Sequence, residues 1–562
     1  MTQVATQPVV KLTPDDLARV NPAYWATRLV PIVLPEGCYT FAEGRDYQRE
    51  LLENPTRHRR RAVKKGTQGG ITQVMILYMT HGLIHGRYRR GGLYLFPTED
   101  DVGDFGKTRW NPLILANPIT IGKYVKTGGK GVNTTYVKNV GASHLYLRGA
   151  RLSQSMDSGM DERQSVKLAN IPVDCVFFDE ADFMDEKVFA KARERMGDSR
   201  VKEEFYAGNP SIPGLGIDRI FNEGDQRYWH RRCGCGQWVS ADLTFPDCVK
   251  VGKDGRGFIG CSKCGSDVGP LSGRKGEWIP KVPSLSSNLL SYHVSHLMSA
   301  RNDPKDILNA VNDPPENNLS DVLRLKLGNA HVAETDCLRT PVIYECCSCD
   351  PMAMRHSGPC AMGVDRAGTV KNFLHVVIGC RTGKDRYVIV RVARVNTLNE
   401  VHDLSRQYNV RSEVLDLNPN PDDSRSYQKT EGGRKIRLAV YLENSALDVD
   451  YSDSTGLVKA NRTEIFDRTH KFFSQKMVTL PRRCAEVEEF AEQCCNTAKI
   501  LETNKRTGGG VYRYIKKGAE HYRNALNYFA MAADSTQIAK VSNGTDPNVE
   551  EYAIANQQEW AE

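Results

Sequence analysis

Four groups of residues in this chain have types and spacings suited to chemistry. The first is a glycine turn, KKGTQGGIT (residues 64–72), followed at once by an apolar, helix-like run. Loops that cradle phosphates need glycines so that backbone amides can approach, a lysine to neutralise charge and a hydroxyl to hold magnesium. Lys64, Lys65, Gly66, Thr67, Gln68, Gly69, Gly70 and Thr72 offer all of these. The usual order is broken, because Ile71 stands where the lysine is expected, and read alone the stretch is better taken as a glycine turn before a helix. About a hundred residues later CVFFDEAD (175–182) is an apolar strand ending in paired acids. Asp179 is expected to hold the magnesium shell and Glu180 to orient and deprotonate an attacking water. A third segment, YAGNPS (206–211), ends a strand in small polar residues suited to sensing hydrolysis, with Asn209 among them.

The second group is cysteine. RCGCGQW and IGCSKCG carry Cys233, Cys235, Cys261 and Cys264, two close pairs with 25 residues between Cys235 and Cys261. Four thiolates so arranged meet the tetrahedral requirement of a structural zinc ribbon, although C-x-C is tighter than the usual C-x-x-C, and His230 could replace one thiolate. A further set, Cys346, Cys347, Cys349, His356 and Cys360, has conceivable metal spacing but reads better as small buried thiols. Third come strand-terminal acids. Asp365 ends AMGVD and Asp416 ends SEVLDL, and carboxylates converging from neighbouring strand ends are what two-metal phosphodiester cleavage requires. The fourth group, RHRRRAVKK (57–65), RYRR (87–90) and Arg231-Arg232, is basic and reads as solvated surface or as a polyanion contact.

The elements that must position these groups can be read from periodicity. Between residues 39 and 210 apolar bursts alternate with helix-like stretches, which suggests a parallel sheet covered by helices. The expected layout is a lead-in (1–35), an α/β nucleotide-binding domain (36–227), a cysteine-bearing insert (228–280), a helical connector (281–345), a second α/β domain (346–540) and a flexible tail (541–562). Strands of the second domain are FLHVVIGC, RYVIVRVARV, SEVLDL and RLAVYLEN. At 562 residues, 40% hydrophobic and 26% charged, the chain is ordinary for a multidomain globular protein, and its +8 charge permits a polyanionic partner without demanding one. No apolar run approaches the length of a bilayer span and the N-terminus lacks a secretory layout, so a cytoplasmic protein is expected.

In their order along the chain these motifs resemble the phage terminase large subunits, whose phosphate loop is deviant. The lambda-like branch places its lysine at the loop's start, as K-x-x-x-x-G-x-[ST], and Lys65, Gly70 and Thr72 fit without a gap. The resemblance implies Lys65 as the phosphate lysine with Lys64 as understudy, and an adenine-reading element at RDYQREL through Tyr47 and Gln48. It also implies an arginine finger among Arg148, Arg151 and Arg163. It implies a RecA-like P-loop ATPase, a zinc-ribbon insert and a C-terminal ribonuclease H-like nuclease. The closing helix AEHYRNALNYFAMAA (519–533) departs from the family, since Asn524 stands where a metal-binding Asp is usual, leaving the third ligand to Glu520 or His521, with Asp422 and Glu443 as further acids. Expected cofactors are ATP, magnesium or manganese, and zinc. Expected partners are double-stranded DNA, the procapsid portal, the small terminase subunit and further copies in a ring, in the host cytoplasm. The rival reading is a helicase-like or restriction-type translocase, which should carry a second RecA-like half; a transposase-like nuclease fits the Asp179-Glu180 pair less well.

Overall fold

In the computed structural model of the chain, the structure describes all residues except 1–12, 31–38, 43, 127–131, 151–170, 185, 316–317, 333–335, 368–372, 431–434, 443–448, 504–509 and 537–562. Two units divide it, residues 1–332 and 333–562. Among the described residues, no helix is long and apolar enough to cross a membrane.

The first unit is built on β1 (Arg60–Lys65), β2 (Gly92–Phe96), β3 (Ser143–Gly149), β4 (Cys175–Phe178), β5 (Glu203–Gly208), β6 (Arg227–Arg232), β7 (Gly276–Pro280) and β8 (Leu290–Val294). Their order is β7-β6-β8-β1-β5-β4-β2-β3, with short strands Val137–Val140 and Val125–Lys126 extending the last edge. From β6 to β3 the pairings are parallel. β2, β4 and β5 are buried throughout, as expected of strands covered on both faces. Because β5 lies between β1 and β4, its C-terminal end falls between the glycine turn and the paired acids.

Two sequence expectations change here. The basic run 57–65 is not a solvated surface but mostly β1. Arg61 is fully buried, donating to Leu51 O at 2.7 Å and Glu203 at 3.1 Å, with its guanidinium 4.2 Å from the Tyr78 ring centre and 4.4 Å from that of Phe205. Arg87 pairs with the same Glu203, and Arg231 with Asp46. The region read as a helical connector contains β8, whose short LSYHV pattern hides a fully buried strand beside β1, and the insert is framed by β6 and β7, which extend the same sheet. The remainder of that region does form helix at Pro304–Asn312 and a helical turn at Val322–Lys326.

The glycine turn leads into α1 (Ile71–Ile84), which is apolar nearly all round and buried as such a helix must be. Its cap, Gly70, has φ +74, a left-handed conformation that glycine adopts at little cost.

The second unit has β9 (Cys360–Arg366), β10 (Leu374–Gly383), β11 (Arg386–Val395), β12 (Val410–Asp416) and β13 (Lys435–Leu442) in the order β13-β12-β9-β10-β11, with Leu457–Asn461 and Val449–Ser452 beyond β13 and Val478–Thr479 beyond β11. β9, β10 and β11 form an antiparallel meander, while β12 and β13 run parallel to β9. This is a ribonuclease H-like sheet and not a second RecA-like half. The C-terminal helix α3 (His521–Asp534; α2 is Gly216–Asn222 in the first unit) seats directly on β9 at Gly363, where a Cβ would stand 2.1 Å from Ala525 O and from Phe529 N. Those atoms are backbone and cannot yield by a rotamer change. Gly363→Ala is therefore expected to lower the stability of the second unit by about 3 kcal/mol, as overpacking does, while the first unit melts as in the parent. Calorimetry with limited proteolysis reads both; an unchanged second transition would show that the helix has room to lift.

Candidate functional site

Side chains alternate along β1, and this separates the two lysines. Lys64 points to one face, donates to Asp218 of α2 at 3.0 Å and lies 4.3 Å from the Phe221 ring centre. It does not join the glycine turn, so its expected place in the phosphate cradle is not the one it occupies. Lys65 points to the other face and donates to Glu180 at 2.7 Å. Burial opposes its charge, but Glu180 and Asp179 together hold its pKa above the ordinary lysine value.

Asp179 is buried at the end of β4, where it accepts from Tyr94 at 3.0 Å and from Thr72. Burial, then the charge of Glu180, pushes its carboxyl upward, with Lys65 opposing. Glu180 sits at φ +54, a left-handed conformation for a non-glycine residue, and is the more exposed acid of the pair. Such positions carry strain and concentrate at functional sites.

The loop is braced from three sides. Gln48 and Tyr47 each donate to Gly69 O at 2.8 Å, and Tyr39 donates to the Gln48 carbonyl at 2.7 Å. Gln48, expected to read a base, here has both ends of its amide engaged in holding the loop. Gly66 N donates to Val294 O at 2.8 Å and Thr67 N to Leu325 O at 2.7 Å. A Cβ on Gly66 would stand 2.8 Å from Leu325 O, and one on Gly70 2.6 Å from Gln48 Nε2, so both glycines answer to close approach. Asn209, just past β5, donates to Lys65 O at 3.0 Å and Arg324 O at 2.7 Å. Gln68 has φ +55 beside Gly69, and the first-turn amides of α1, at Ile71 and Thr72, have no partner within the helix. Glycines, a cation, a hydroxyl, free helix-end amides and two acids thus converge at the C-terminal edge of a parallel sheet, where open α/β sheets hold their ligands. Residues 322–328 and Tyr94 belong to this neighbourhood without having been singled out in the sequence. Of the finger candidates, Arg148 donates to Tyr136 O and Leu147 O at 2.8 Å, and Arg151 and Arg163 lie outside the described residues.

Residues 45–278 match the model of the phage terminase large subunit gpA ATPase domain. Those residues belong to the terminase large-subunit ATPase family. No curated protein sequence matches the chain. Among solved structures, the large terminase of a thermophilic bacteriophage is similar at 11% identity over 87% of this chain and 98% of that one, with a TM-score of 0.32. The ATPase domain of the Thermus phage P74-26 large terminase aligns at 13% identity over 49% and 89%, TM-score 0.28. The nuclease domain of the large terminase subunit gp2 of bacterial virus Sf6 aligns at 11% over 31% and 88%, TM-score 0.22.

Within the terminase ATPase domain's sheet extension, Cys233 Sγ lies 3.5 Å from Cys264 Sγ and Cys235 Sγ 3.7 Å from Cys261 Sγ, the four ligand atoms all within 4.8 Å of one another. Zinc–sulfur bonds of about 2.3 Å in a tetrahedron put sulfurs about 3.8 Å apart, so these residues fit zinc. Hydrogen bonds from Ser266 lower the Cys264 thiol to about 6. His230 stands in β6 with its Nδ1 2.9 Å from Tyr228 O and is outside the cluster. In the other cysteine set, Cys346 Sγ donates to backbone carbonyls of Val342 and Phe473, and Cys360 Sγ lies 3.4 Å from His356 Nδ1. No metal-ligating group forms from this set among the described residues.

In the second unit, β9 and β12 are adjacent and parallel, which places Asp365 beside Asp416. Burial raises Asp365 to about 6, and burial with the Asp365 charge raises Asp416 to about 7. His521, at the start of α3, has its Nδ1 2.7 Å from Asp365 Oδ2, and Asn524 also hydrogen-bonds Asp365. Glu520 turns instead to Arg462, at 3.3 Å, so of the two expected third ligands the structure brings only His521 to Asp365. Asp422 is exposed, and Glu443 lies outside the described residues. A residue not singled out in the sequence, His375, completes the group with Asp365 and His521.

The ATPase geometry sets a test. Glu180→Gln removes the only feature of that side chain able to take a proton from water, so kcat should fall by roughly 10² or more while nucleotide still binds. Lys65→Ala should cost a comparable factor, whereas Lys64→Ala should lower stability, by leaving Asp218 buried and unpaired, more than it lowers kcat. Steady-state ATPase assays beside melting curves check both; the opposite ranking of the two lysines would mean that the alternation along β1 misplaces them.

Proposed function

We propose that this chain is the large subunit of a terminase, an ATP-driven motor that moves double-stranded DNA into a procapsid and cuts concatemeric genome DNA with its second unit. The observation that carries the motor half is the convergence of Lys65, Thr72, Asp179 and Glu180 at the end of β1 and β4 within a terminase ATPase domain. ATP lies on the loop formed by residues 65–70 and the start of α1, with Tyr47 and Gln48 holding that loop in shape. Lys65 leaves Glu180 for the phosphates, which frees the Glu180 carboxylate to orient the attacking water and take its proton. Thr72 and Asp179 are the residues that would hold the magnesium of the nucleotide, which would supply charge neutralisation for the phosphates. Asn209, tied to Lys65 O, registers whether the γ-phosphate is present.

For the nuclease, Asp365 and Asp416 are the metal-binding and catalytic acids. Two carboxyls pressed together out of water, each raised above its ordinary range, are stabilised as carboxylates when a dication joins them. Asp365 and Asp416 would hold divalent metal there, which would supply the charge that activates water and stabilises the leaving oxygen. His521 completes the set and Glu520 stays with Arg462. Zinc on Cys233, Cys235, Cys261 and Cys264 holds the turn between β6 and β7. The partners are DNA, the portal, the small terminase subunit and copies of the same chain in a ring, and the work takes place in the host cytoplasm, docked transiently on the procapsid and absent from the mature virion.

Asp365→Ala and Asp416→Ala should each abolish DNA cutting, lowering it by roughly 10² or more, with ATPase within a few-fold of the parent. Plasmid-nicking and ATPase assays on one preparation read the division; joint loss of both activities in a folded protein would refute it. Protein purified without chelator should hold one zinc per chain by elemental analysis, and Cys261→Ser/Cys264→Ser should lose it and become protease-sensitive between residues 233 and 275. A zinc-free parent that resists protease there would count against the ribbon.

A further inference from the structure

Asp365 and His375 stand directly opposite each other on the antiparallel strands β9 and β10, so their side chains leave the sheet on the same face. The first residue of α3, His521, closes over them: its ring lies 4.9 Å from that of His375 in a stacked arrangement, and its Nδ1 is 2.7 Å from Asp365 Oδ2. One ligand atom from each of the three residues lies within 4.8 Å of the other two. His375 is 3% exposed and its Nδ1 has no hydrogen-bond partner. Buried imidazole nitrogens are ordinarily satisfied, so an unpartnered one on a ring that stacks on a second imidazole and stands opposite a carboxylate calls for a reason. The nearby cation Arg394 is itself paired with Glu489 at 2.9 Å. Metal–ligand bonds of about 2.1 Å bring ligand atoms about 3 to 3.4 Å apart, a spacing that this trio, with its ligand atoms within 4.8 Å of one another, reaches by small side-chain shifts.

We propose that Asp365, His375 and His521 form a mixed oxygen–nitrogen site for a transition-metal dication, with His375 as a direct ligand. Magnesium seeks oxygen donors and keeps its waters, whereas imidazole suits transition metals. Two imidazoles therefore bias the site toward an ion such as manganese. The proposal deepens the nuclease reading and rests on it only for what the metal does, since ligation can be read without cutting.

The test uses the full chain, treated with chelator and free of nucleotide, titrated with manganese alone and followed by electron paramagnetic resonance. Magnesium serves as competitor, and pulsed measurements detect nitrogen bound to the ion. Manganese should bind at least tenfold more tightly than magnesium and show nitrogen coupling. His375→Gln should weaken manganese roughly tenfold or more and reduce that coupling, while magnesium binding changes less than threefold. Circular dichroism and a melting transition of the second unit matching the parent's confirm that the variant folds; should it not fold, His521→Gln on the less buried partner gives the same reading. A manganese spectrum with oxygen ligands only, or a folded His375→Gln protein that binds manganese as the parent does, overturns the site even if DNA is still cut. Nitrogen-ligated manganese in a chain that cuts no DNA keeps the site and removes the nuclease reading.

Discussion

A carboxylate taken out of water must meet positive charge or hold its proton, and both candidate sites are organised by that constraint. In the first unit Asp179 and Glu180 are answered by Lys65, a cation whose charge burial opposes and the two acids favour. In the second unit Asp365 and Asp416 press on each other, and burial raises both. The first arrangement is a cation held between two acids; the second is a pair of acids with, among the described residues, no lysine or arginine between them in the hydrogen bonds that hold them. The same rule accounts for Glu203, which would be untenable in the buried start of β5 without Arg61, Arg87, Tyr78 and Tyr88 around it.

Strand geometry decides which residue answers which acid. Lys64 and Lys65 have the same chemistry and adjacent positions, yet period-two alternation gives one to Asp218 and the other to Glu180. The parallel order that inserts β5 between β1 and β4 brings Asn209 to the end of the lysine strand. In the ribonuclease H-like unit, adjacency of β9 and β12 aligns the two acids, and the close seat of α3 on Gly363 fixes where His521 arrives.

Much of this was legible in the sequence because it is local. The loop glycines, the DE pair after an apolar strand and the cysteine pairs are all short-range patterns. What was not legible depends on partners distant in sequence. β8 was hidden because LSYHV is short, carries Ser and His, and is recognisable as a core strand only beside β1. The basic run 57–65 looked solvated because Glu203 and Asp218, which neutralise it, lie more than a hundred residues away. His375 sat unnoticed in an apolar strand, although a lone imidazole in FLHVVIGC, one hairpin after AMGVD, was the available signal. Gln48 was recognised, but not its tie to Gly69 O, which no spacing reveals.

The bracing of the phosphate loop has a consequence for where the first unit can be cut free. The family match ends at residue 278, yet Gly66 N rests on Val294 O, Thr67 N on Leu325 O, His296 on Thr67 O and Asn209 on Arg324 O. A fragment ended at the edge of that match would lose β8 from the middle of its sheet and expose one side of β1 as an open strand edge, which invites self-association. The smallest self-sufficient first unit therefore extends to about residue 332, and the stretch from β8 to that boundary braces the glycine loop and is not a linker.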